Sequence, residues 1–354
     1  MGIMATPGFP LIWQTPTPAT AGFAPEVADR LDGAVSRGDF SGLHAVLVLR
    51  NNRPALERYY RARDEVWGQD LGIVQHGPDR LHDLRSISKS VVGLLYGIAL
   101  AEDMVPPVTA RLMDHYPAYC DLADDARKRR ITIAHVLSMR MGLDWQEDTA
   151  YDNPANSDNG MEAAPDRYRY ILCRPMAGTP GRRWLYCGGA TALLANLIER
   201  GTGRTLADFA RERLFDPMGI ACFDWVKGKD SRAIASSGLR LLPRDIARLG
   251  QMVLDRGIWA GRRLVPAAWL TASFKPRAHA DSGLHYGYQW WIGSLLSNGK
   301  PWHAGFGNGG QRLIIIPSLG MVVVILAGNY NAADQWKMPV QLMSRIVMPS
   351  VTDP

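Results

Sequence analysis

Apolar runs near both ends of the chain predict a sheet. Residues 43–49 and 55–60 are β-rich and flank an Asn-Asn-Arg-Pro turn, which is typical of a hairpin. Residues 312–316 and 321–327 form a second pair of apolar runs around a Pro-Ser-Leu-Gly turn. These runs are apolar on both faces, so we expect a central sheet that helices cover on each side.

Between these ends, apolar positions recur at helical spacing. The strongest pattern predicts a helix over residues 85–101. Residues 133–141, 190–202 and 206–214 predict further helices within a mostly helical region, roughly residues 105–225. The expected architecture is a sheet made from both chain ends with a helical insertion.

Length and composition indicate a globular protein. The 354 residues are 47% hydrophobic and 21% charged, enough for one large domain or two lobes. No run approaches the ~18 apolar residues of a membrane span. The net charge of +6 comes from scattered basic residues. Without a basic face that carries stacking aromatics, we expect no nucleic-acid partner.

The chain start and the cysteines bear on the compartment. Residues 1–24 are rich in proline and threonine and predict an extended arm, without the basic and apolar regions of a signal peptide. The four cysteines are widely separated and lack metal-ligand spacing. We therefore expect free thiols and a cytoplasmic protein, with neither a membrane partner nor a metal.

A serine and a lysine stand three residues apart at the start of the predicted helix over 85–101. This spacing places Lys89 one turn above Ser86 on the same face. A serine hydroxyl needs a neighbour to take its proton, and a lysine buried among apolar residues loses preference for its charged form. The Ser86 N–H is placed to bind an oxyanion. The plainer alternative is an N-cap serine followed by a surface lysine.

Tyr186 precedes the helix predicted over 190–202, in a segment that starts with Pro-Gly and ends with Gly-Gly. A loop at a helix entrance can hold a side chain rigidly and still let it reach a cleft. A phenol has a pKa of ~10, but its phenolate is favoured beside an ammonium. Tyr186 is thus a candidate to accept the serine proton and pass it on. The alternative is a core tyrosine packed under Trp184.

A glycine-rich segment, residues 303–311, directly precedes the strand predicted over 312–316. Its four glycines let the backbone pass close to a ligand, and the Phe306 N–H is a candidate second oxyanion donor. His303 is a candidate to bind a substrate carboxylate or to support the tyrosine–lysine pair, although a lone histidine is more often structural. No helix and no G-K-[ST] follows, which excludes a phosphate-binding P-loop.

Together these segments resemble the serine β-lactamase and penicillin-recognising superfamily, in its class C and esterase-like branch. That family orders its motifs as S-x-x-K, Y-x-N and [KH]-[TSA]-G. This chain has, in the same order, Ser86-Ile87-Ser88-Lys89, Tyr186-Cys187-Gly188 and His303-Ala304-Gly305. The likeness spans roughly residues 25–348 and is nearest to serine hydrolases of the 6-aminohexanoate-dimer hydrolase type and related carboxylesterases.

The resemblance implies a fold of class α/β (α+β). It would be a β-lactamase-like three-layer sandwich, with a central antiparallel sheet from both chain ends covered by helices, plus a mostly helical lobe. After the arm of residues 1–24, residues 25–354 would form a single domain. Its sheet lobe would comprise about 25–104 and 226–354, and its helical lobe about 105–225.

The resemblance also implies roles for individual residues. Ser86 would attack an ester or amide, Lys89 and Tyr186 would act as general base and acid, and the N–H groups of Ser86 and Phe306 would hold the oxyanion. The expected substrate contacts are His303, Gly305, Tyr151, Trp184 and Trp290. The partner would be a small-molecule ester or amide, and no cofactor or metal is required because serine, tyrosine and lysine supply the proton transfers.

Two positions depart from the family pattern. The asparagine of Y-x-N is Gly188 here, and the lysine of the last motif is His303. Both changes argue against an efficient β-lactamase and favour an esterase or small-amide hydrolase. A D-alanyl peptidase or β-lactamase, an acyltransferase, and a catalytically idle binding member of the fold remain alternatives.

Overall fold

An eight-stranded antiparallel sheet forms the centre of the protein, in a computed structural model that describes residues 13, 15–147, 149, 153–280 and 283–352. The strands are β1 (Leu43–Arg50), β2 (Arg53–Tyr59), β3 (Arg61–Val66), β4 (Gln69–Gln75), β5 (His82–Asp83), β6 (Phe223–Trp225), β7 (Leu239–Leu241), β8 (Ile258–Trp259), β9 (Arg262–Arg263), β10 (Ala278–His279), β11 (His285–Tyr286), β12 (Trp291–Ser294), β13 (Pro301–Gly307), β14 (Gln311–Ile316) and β15 (Met321–Ala327). The main sheet has the order β10-β11-β12-β13-β14-β15-β1-β2, which confirms a sheet built from both chain ends. Strands β3 to β9 form three small sheets.

The two chain ends meet in the sheet at the pair β1–β15. Every residue of both strands is buried, and β-branched residues face one another, as in Val46 opposite Ile325 and Val48 opposite Val323. The predicted hairpin of β1 and β2 is confirmed. Asn51 and Asn52 adopt positive φ angles of 51° and 61° there, a conformation that asparagine tolerates better than most residues.

Helices cover both faces of the sheet. They are α1 (Val27–Ser36), α2 (Ile87–Ala101), α3 (Ile133–Leu137), α4 (Ser157–Ala163), α5 (Arg167–Cys173), α6 (Gly188–Thr202), α7 (Leu206–Ala210), α8 (Asp216–Met218), α9 (Pro243–Leu254), α10 (Ala267–Ser273) and α11 (Lys337–Leu342). Because side chains alternate along β1, Leu47 packs in one core with α2, α6 and α9, whereas Val46 packs in the other with α1 and α11. The predicted three-layer arrangement is confirmed.

The predicted helix over 133–141 is shorter in the structure. It ends at Leu137 because Met139 takes a positive φ of 55°. The carbonyl oxygen of Leu137, at the end of the helix, accepts hydrogen bonds from the backbone N–H and from the side-chain amide of Gln289. The helix predicted over 206–214 extends further in the structure, because α7 continues through a π-helical turn, Arg211–Phe215, into α8.

The helices, the cysteines and the start of the chain can each be compared with the predictions from the sequence. Across the ranges that the structure describes, none of the helices combines the length and the apolar character that crossing a bilayer requires. The four cysteines are unpaired. In the described part of the predicted N-terminal arm, the Trp13 indole donates to Glu57 and the Thr17 N–H donates to the Pro54 carbonyl, so this part lies along β2.

Glycines inside helices provide a test of the packing. A β-carbon at Gly97 in α2 would overlap the Trp269 indole, whereas one at Gly33 in α1 would meet only the Arg37 guanidinium at 3.4 Å. We expect Gly97→Ala to lower the free energy of unfolding by about 1–2 kcal/mol, because overpacking outweighs the gain in helix propensity. Gly33→Ala, the matched control, should raise it by about 0.5–1 kcal/mol. Denaturant unfolding measures both, and equal effects would contradict the packing described here.

Candidate active site

Ser86 is the N-cap residue of α2, and the residue before it is strained. Arg85 has a positive φ of 49°, which is rare for a residue other than glycine. Its guanidinium pairs with Glu65 at 2.6 Å and lies between the rings of Trp67 and Tyr330, 5.0 and 4.5 Å from their centres. These contacts hold the tight turn that directs Ser86 toward a cleft.

Lys89 lies one helical turn from Ser86, as predicted from the spacing. Its Nζ donates a 2.9 Å hydrogen bond to Ser86 Oγ and a 3.2 Å bond to the Ser236 carbonyl oxygen. Only 1% of Lys89 is exposed. The alternative of a surface lysine is therefore excluded.

Tyr186 completes the group from the loop before α6. The Lys89 ammonium lies 4.7 Å from the centre of the Tyr186 ring, and the phenol is close enough to Ser86 and Lys89 for each to affect its proton affinity. Trp184 packs beside it, with ring centres 6.0 Å apart. The fold thus brings together the three residues predicted to be catalytic, from segments about one hundred residues apart.

Glu147 is a residue that the sequence analysis missed. Its Oε1 lies 3.7 Å from Lys89 Nζ, and its side chain is 2% exposed. Its Oε2 accepts hydrogen bonds from the Gly188 N–H at 2.7 Å and the Trp145 indole N–H at 2.9 Å. The signal available in the sequence was its position, two residues after the Gly-Leu-Asp-Trp segment at residues 142–145.

Asp158, in the first turn of α4, was also missed. Its carboxyl is buried, and no described residue donates a hydrogen bond to its Oδ1. A β-carbon at Gly188 would overlap that same oxygen. Asp158 therefore occupies the space in which the asparagine side chain of Y-x-N would begin, and the glycine at position 188 makes room for it.

These carboxyl groups decide the charge state of the lysine. Burial alone lowers the pKa of Lys89, but Coulomb attraction to the ionised forms of Tyr186, Glu147 and Asp158 raises it more, so its pKa lies above the ordinary value. Burial raises the pKa of Tyr186, and the Lys89 ammonium offsets this only in part. Burial, together with repulsion from Glu147, also raises the pKa of Asp158 well above its usual range.

The pKa shifts of Lys89 and Tyr186 correct two expectations from the sequence. We expected burial to weaken the charged form of Lys89, and its neighbours reverse that effect. We also expected the ammonium to favour the Tyr186 phenolate, and desolvation of the phenolate outweighs that attraction. At neutral pH the resting pair is an ammonium beside a neutral phenol.

The predicted oxyanion donors lie where β13 passes the start of α2. A β-carbon at Gly307 would overlap the Leu84 carbonyl oxygen, and one at Gly305 would meet Ser90 Oγ at 3.1 Å. These two glycines therefore allow the close approach that brings the backbone of Phe306 next to Ser86. Among the described residues, no acceptor binds the Ser86 N–H.

A cavity of about 160 Å³ opens at Ser86. Its walls come from the β3–β4 hairpin, α4 and four loops. Its lining residues are Glu65, Trp67, Gly68, Arg85, Ser86, Asn159, Ser237, Asn308 and Asn331. Ser86 therefore faces a small site whose walls combine polar side chains with apolar surface.

The other predicted substrate contacts have mixed outcomes. His303 stacks on Phe274 at 3.9 Å, and burial lowers its pKa to about 4, so it is neutral and supplies no charge for a carboxylate. Trp290 is 1% exposed and lies in the core. Because side chains alternate, its neighbour Trp291 is the ring beside Tyr186, 5.8 Å away. Tyr151 lies outside the described residues.

Known proteins resemble this chain in sequence and in fold. The sequence profile of the Beta-lactamase family matches residues 27–334. The chain belongs to the Beta-lactamase family. It is 26% identical over 331 residues to the 6-aminohexanoate-dimer hydrolase of Paenarthrobacter ureafaciens, covering 85% of this chain and 76% of that protein.

Two solved structures share the fold. EstCE1, described as a hydrolase with promiscuous acyltransferase activity, aligns with a TM-score of 0.72 at 15% identity, over 93% of this chain and 99% of that one. A family VIII carboxylesterase aligns with a TM-score of 0.67 at 14% identity, over 92% and 98%. The family is therefore one of serine hydrolases with the β-lactamase fold, and it includes amide hydrolases and esterases.

The overlap between Gly188 and Asp158 gives a prediction. Gly188→Asn, which restores the family asparagine, should lower the free energy of unfolding by about 1–3 kcal/mol because the new side chain collides with the carboxyl. Adding Asp158→Ala should recover at least about 1 kcal/mol of that loss, as measured in a double-mutant cycle by denaturant unfolding. The distant pair Gly33→Ala and Asp158→Ala is the control and should be additive. If the changes in the free energy of unfolding were additive in both pairs, the side chains at positions 188 and 158 would not compete for the same space.

Proposed function

We propose that the protein is a serine hydrolase that cleaves a small ester or linear amide through an acyl-enzyme on Ser86. The observation that carries the proposal is the 2.9 Å hydrogen bond from Lys89 Nζ to Ser86 Oγ, at the mouth of a cavity that Ser86 lines. The Tyr186 ring lies 4.7 Å from Lys89 Nζ, so a group that can accept a proton in its phenolate form lies beside the serine–lysine pair.

The first step forms the bond between Ser86 Oγ and the substrate carbonyl carbon. The base is the phenolate form of Tyr186, which takes the serine proton while the Lys89 ammonium stabilises the negative phenolate. The carbonyl oxygen becomes an oxyanion, and it accepts hydrogen bonds from the N–H groups of Ser86 and Phe306. Lys89 keeps its proton throughout this step.

The next steps use the same groups in reverse. Tyr186 returns the proton to the leaving oxygen or nitrogen as the bond to the carbonyl carbon breaks, leaving an acyl group on Ser86. Water then enters, and Tyr186 takes a proton from it as the water oxygen attacks the ester. When the bond to Ser86 Oγ breaks, Tyr186 gives that proton to the serine and the acid leaves.

The site supports small substrates. A cavity of about 160 Å³ accommodates a short acyl or amine group, and its asparagine and serine residues suit polar substituents. With His303 neutral and Gly188 without a side chain, the two groups that class C enzymes use on a β-lactam are missing. We therefore place a β-lactamase or D-alanyl peptidase behind a small ester or amide hydrolase.

Labelling with a fluorophosphonate tests the nucleophile. Intact-mass analysis should show a single adduct on the wild type and on Ser237→Ala, which removes another serine of the same cavity. Ser86→Ala should show none, and its hydrolysis of short esters should fall by at least about 10³-fold. An adduct on Ser86→Ala, or none on the wild type, would refute the proposal and favour an idle member of the fold. An added alcohol that outcompetes water would identify an acyltransferase instead.

The charge on Glu147 gives a pH prediction. Since the active base is the Tyr186 phenolate and its pKa is raised, kcat/KM should increase with pH through the alkaline range and be lost as pH falls. Glu147 raises the pKa of both Tyr186 and Lys89. In Glu147→Gln the whole pH profile should therefore move to lower pH.

The control for this prediction is Asp144→Asn, which removes an exposed carboxylate of the same loop that pairs with Arg174. Its pH profile should match that of the wild type. An unshifted profile in Glu147→Gln would show that this carboxylate does not set the proton affinity of the base.

A further inference from the structure

Three histidines and one aspartate lie together in a buried group that the proposed chemistry does not use. One nitrogen or oxygen atom from each lies within 4.8 Å of the others. The residues of this histidine cluster are His44 in β1, Asp64 in β3, His76 just after β4 and His82 in β5.

The hydrogen bonds of two members fix which ring nitrogens carry hydrogen. His44 Nε2 lies 2.9 Å from the Arg63 carbonyl oxygen, and His82 Nδ1 lies 2.9 Å from the Asp83 carbonyl oxygen. A carbonyl oxygen can only accept, so both nitrogens must be donors. In a neutral imidazole the other nitrogen then has a bare lone pair.

Those two remaining nitrogens face each other. His44 Nδ1 and His82 Nε2 are 2.8 Å apart, a distance at which two lone pairs repel. A cation between them, either a proton or a metal ion, would remove the repulsion. Asp64 is placed to balance its charge, with Oδ1 3.8 Å from His44 Nδ1.

One observation favours a metal ion over a proton. His76 Nε2 is buried and no described residue forms a hydrogen bond with it. A proton shared by His44 and His82 leaves that nitrogen unsatisfied, whereas a metal ion can use it as a ligand.

We propose that the histidine cluster binds one Zn²⁺ ion in a closed structural site of three imidazole nitrogens and one carboxylate oxygen. Borderline-soft Zn²⁺ favours such ligands, and a tetrahedral site has ligand atoms about 3.3 Å apart. Binding would lengthen the 2.8 Å contact between the histidines and shorten the 3.8 Å distance to Asp64. The His76 ring, now stacked on His44 at 3.8 Å, would tilt toward the ion.

The surroundings have the outer contacts typical of metal ligands. The backbone carbonyls of Arg63 and Asp83 orient the two histidine rings. The Tyr330 hydroxyl donates to Asp64 Oδ1 at 3.1 Å, and the Glu65 N–H donates to the same atom at 2.9 Å. The ligand side chains are therefore held in place by the fold itself.

The position of the cluster indicates what the ion would do. It joins β1 of the main sheet to the β3–β4 hairpin, whose turn lines the active-site cavity. It also holds His82, which lies four residues before Ser86. The ion would tie the wall of the cavity and the segment before the nucleophile to the sheet, and this role does not depend on the proposed hydrolysis.

Metal content tests the proposal directly. Untagged protein, purified without chelators, is analysed by inductively coupled plasma mass spectrometry, and we expect about one zinc per chain. Asp64→Asn, whose amide oxygen still accepts the two outer hydrogen bonds, and His76→Gln should each weaken zinc binding at least tenfold. His279→Gln, which removes an exposed histidine, should retain the wild-type content.

Thermal unfolding provides a second measurement that needs no enzymatic activity. A strong chelator should lower the wild-type Tm by several degrees and added Zn²⁺ should restore it, while Asp64→Asn should respond to neither. If a variant fails to fold, the wild-type chelation and readdition result decides alone. Wild-type protein that contains no zinc and whose Tm is unchanged by Zn²⁺ would overturn the proposal and leave a shared proton between His44 and His82.

Discussion

The buried ammonium of Lys89 is the constraint on which the active site depends. A charge removed from water must be paired, and breaking such a pair by removing one partner costs about 3–5 kcal/mol. Here the balance comes from Glu147, 3.7 Å away. The glycine at position 188 leaves room for the buried Asp158 carboxyl, which a side chain there would displace.

Close backbone approach is the second requirement of the site. The start of α2 meets β13 where two glycines leave no side chain between them, so two N–H groups can lie beside one oxygen. The same contact places Ser86 beside β13 of the main sheet, in which the pair β1–β15 is fully buried. A rigid sheet and a helix start thus set the geometry of the nucleophile.

The short segment from His82 to Lys89 links the active site to the histidine cluster. At one end, His82 contacts His44 of the main sheet. In the middle, Asp83 accepts hydrogen bonds from Arg240 and from the Trp67 N–H, and the strained Arg85 lies between two aromatic rings. At the other end, Lys89 is bonded to Ser86. Buried polar contacts along its length hold the nucleophile in one conformation, which explains how the unfavourable backbone angle at Arg85 persists.

The sequence by itself determined the two strand pairs near the chain ends and the candidate residues of the site. Those four strands, the helix that carries Ser86 and Lys89, and the motif that contains Tyr186 could all be predicted, because the periodicity of apolar residues and the spacing of motif residues are local properties of the chain. Only the tertiary structure decided the directions of the pKa shifts and placed Glu147 and Asp158 beside the site. It also showed that Trp291, and not Trp290, lies beside Tyr186, and it brought the residues of the histidine cluster together. The physical reason is that burial and Coulomb interactions depend on distances in space, and these groups come from segments far apart along the chain.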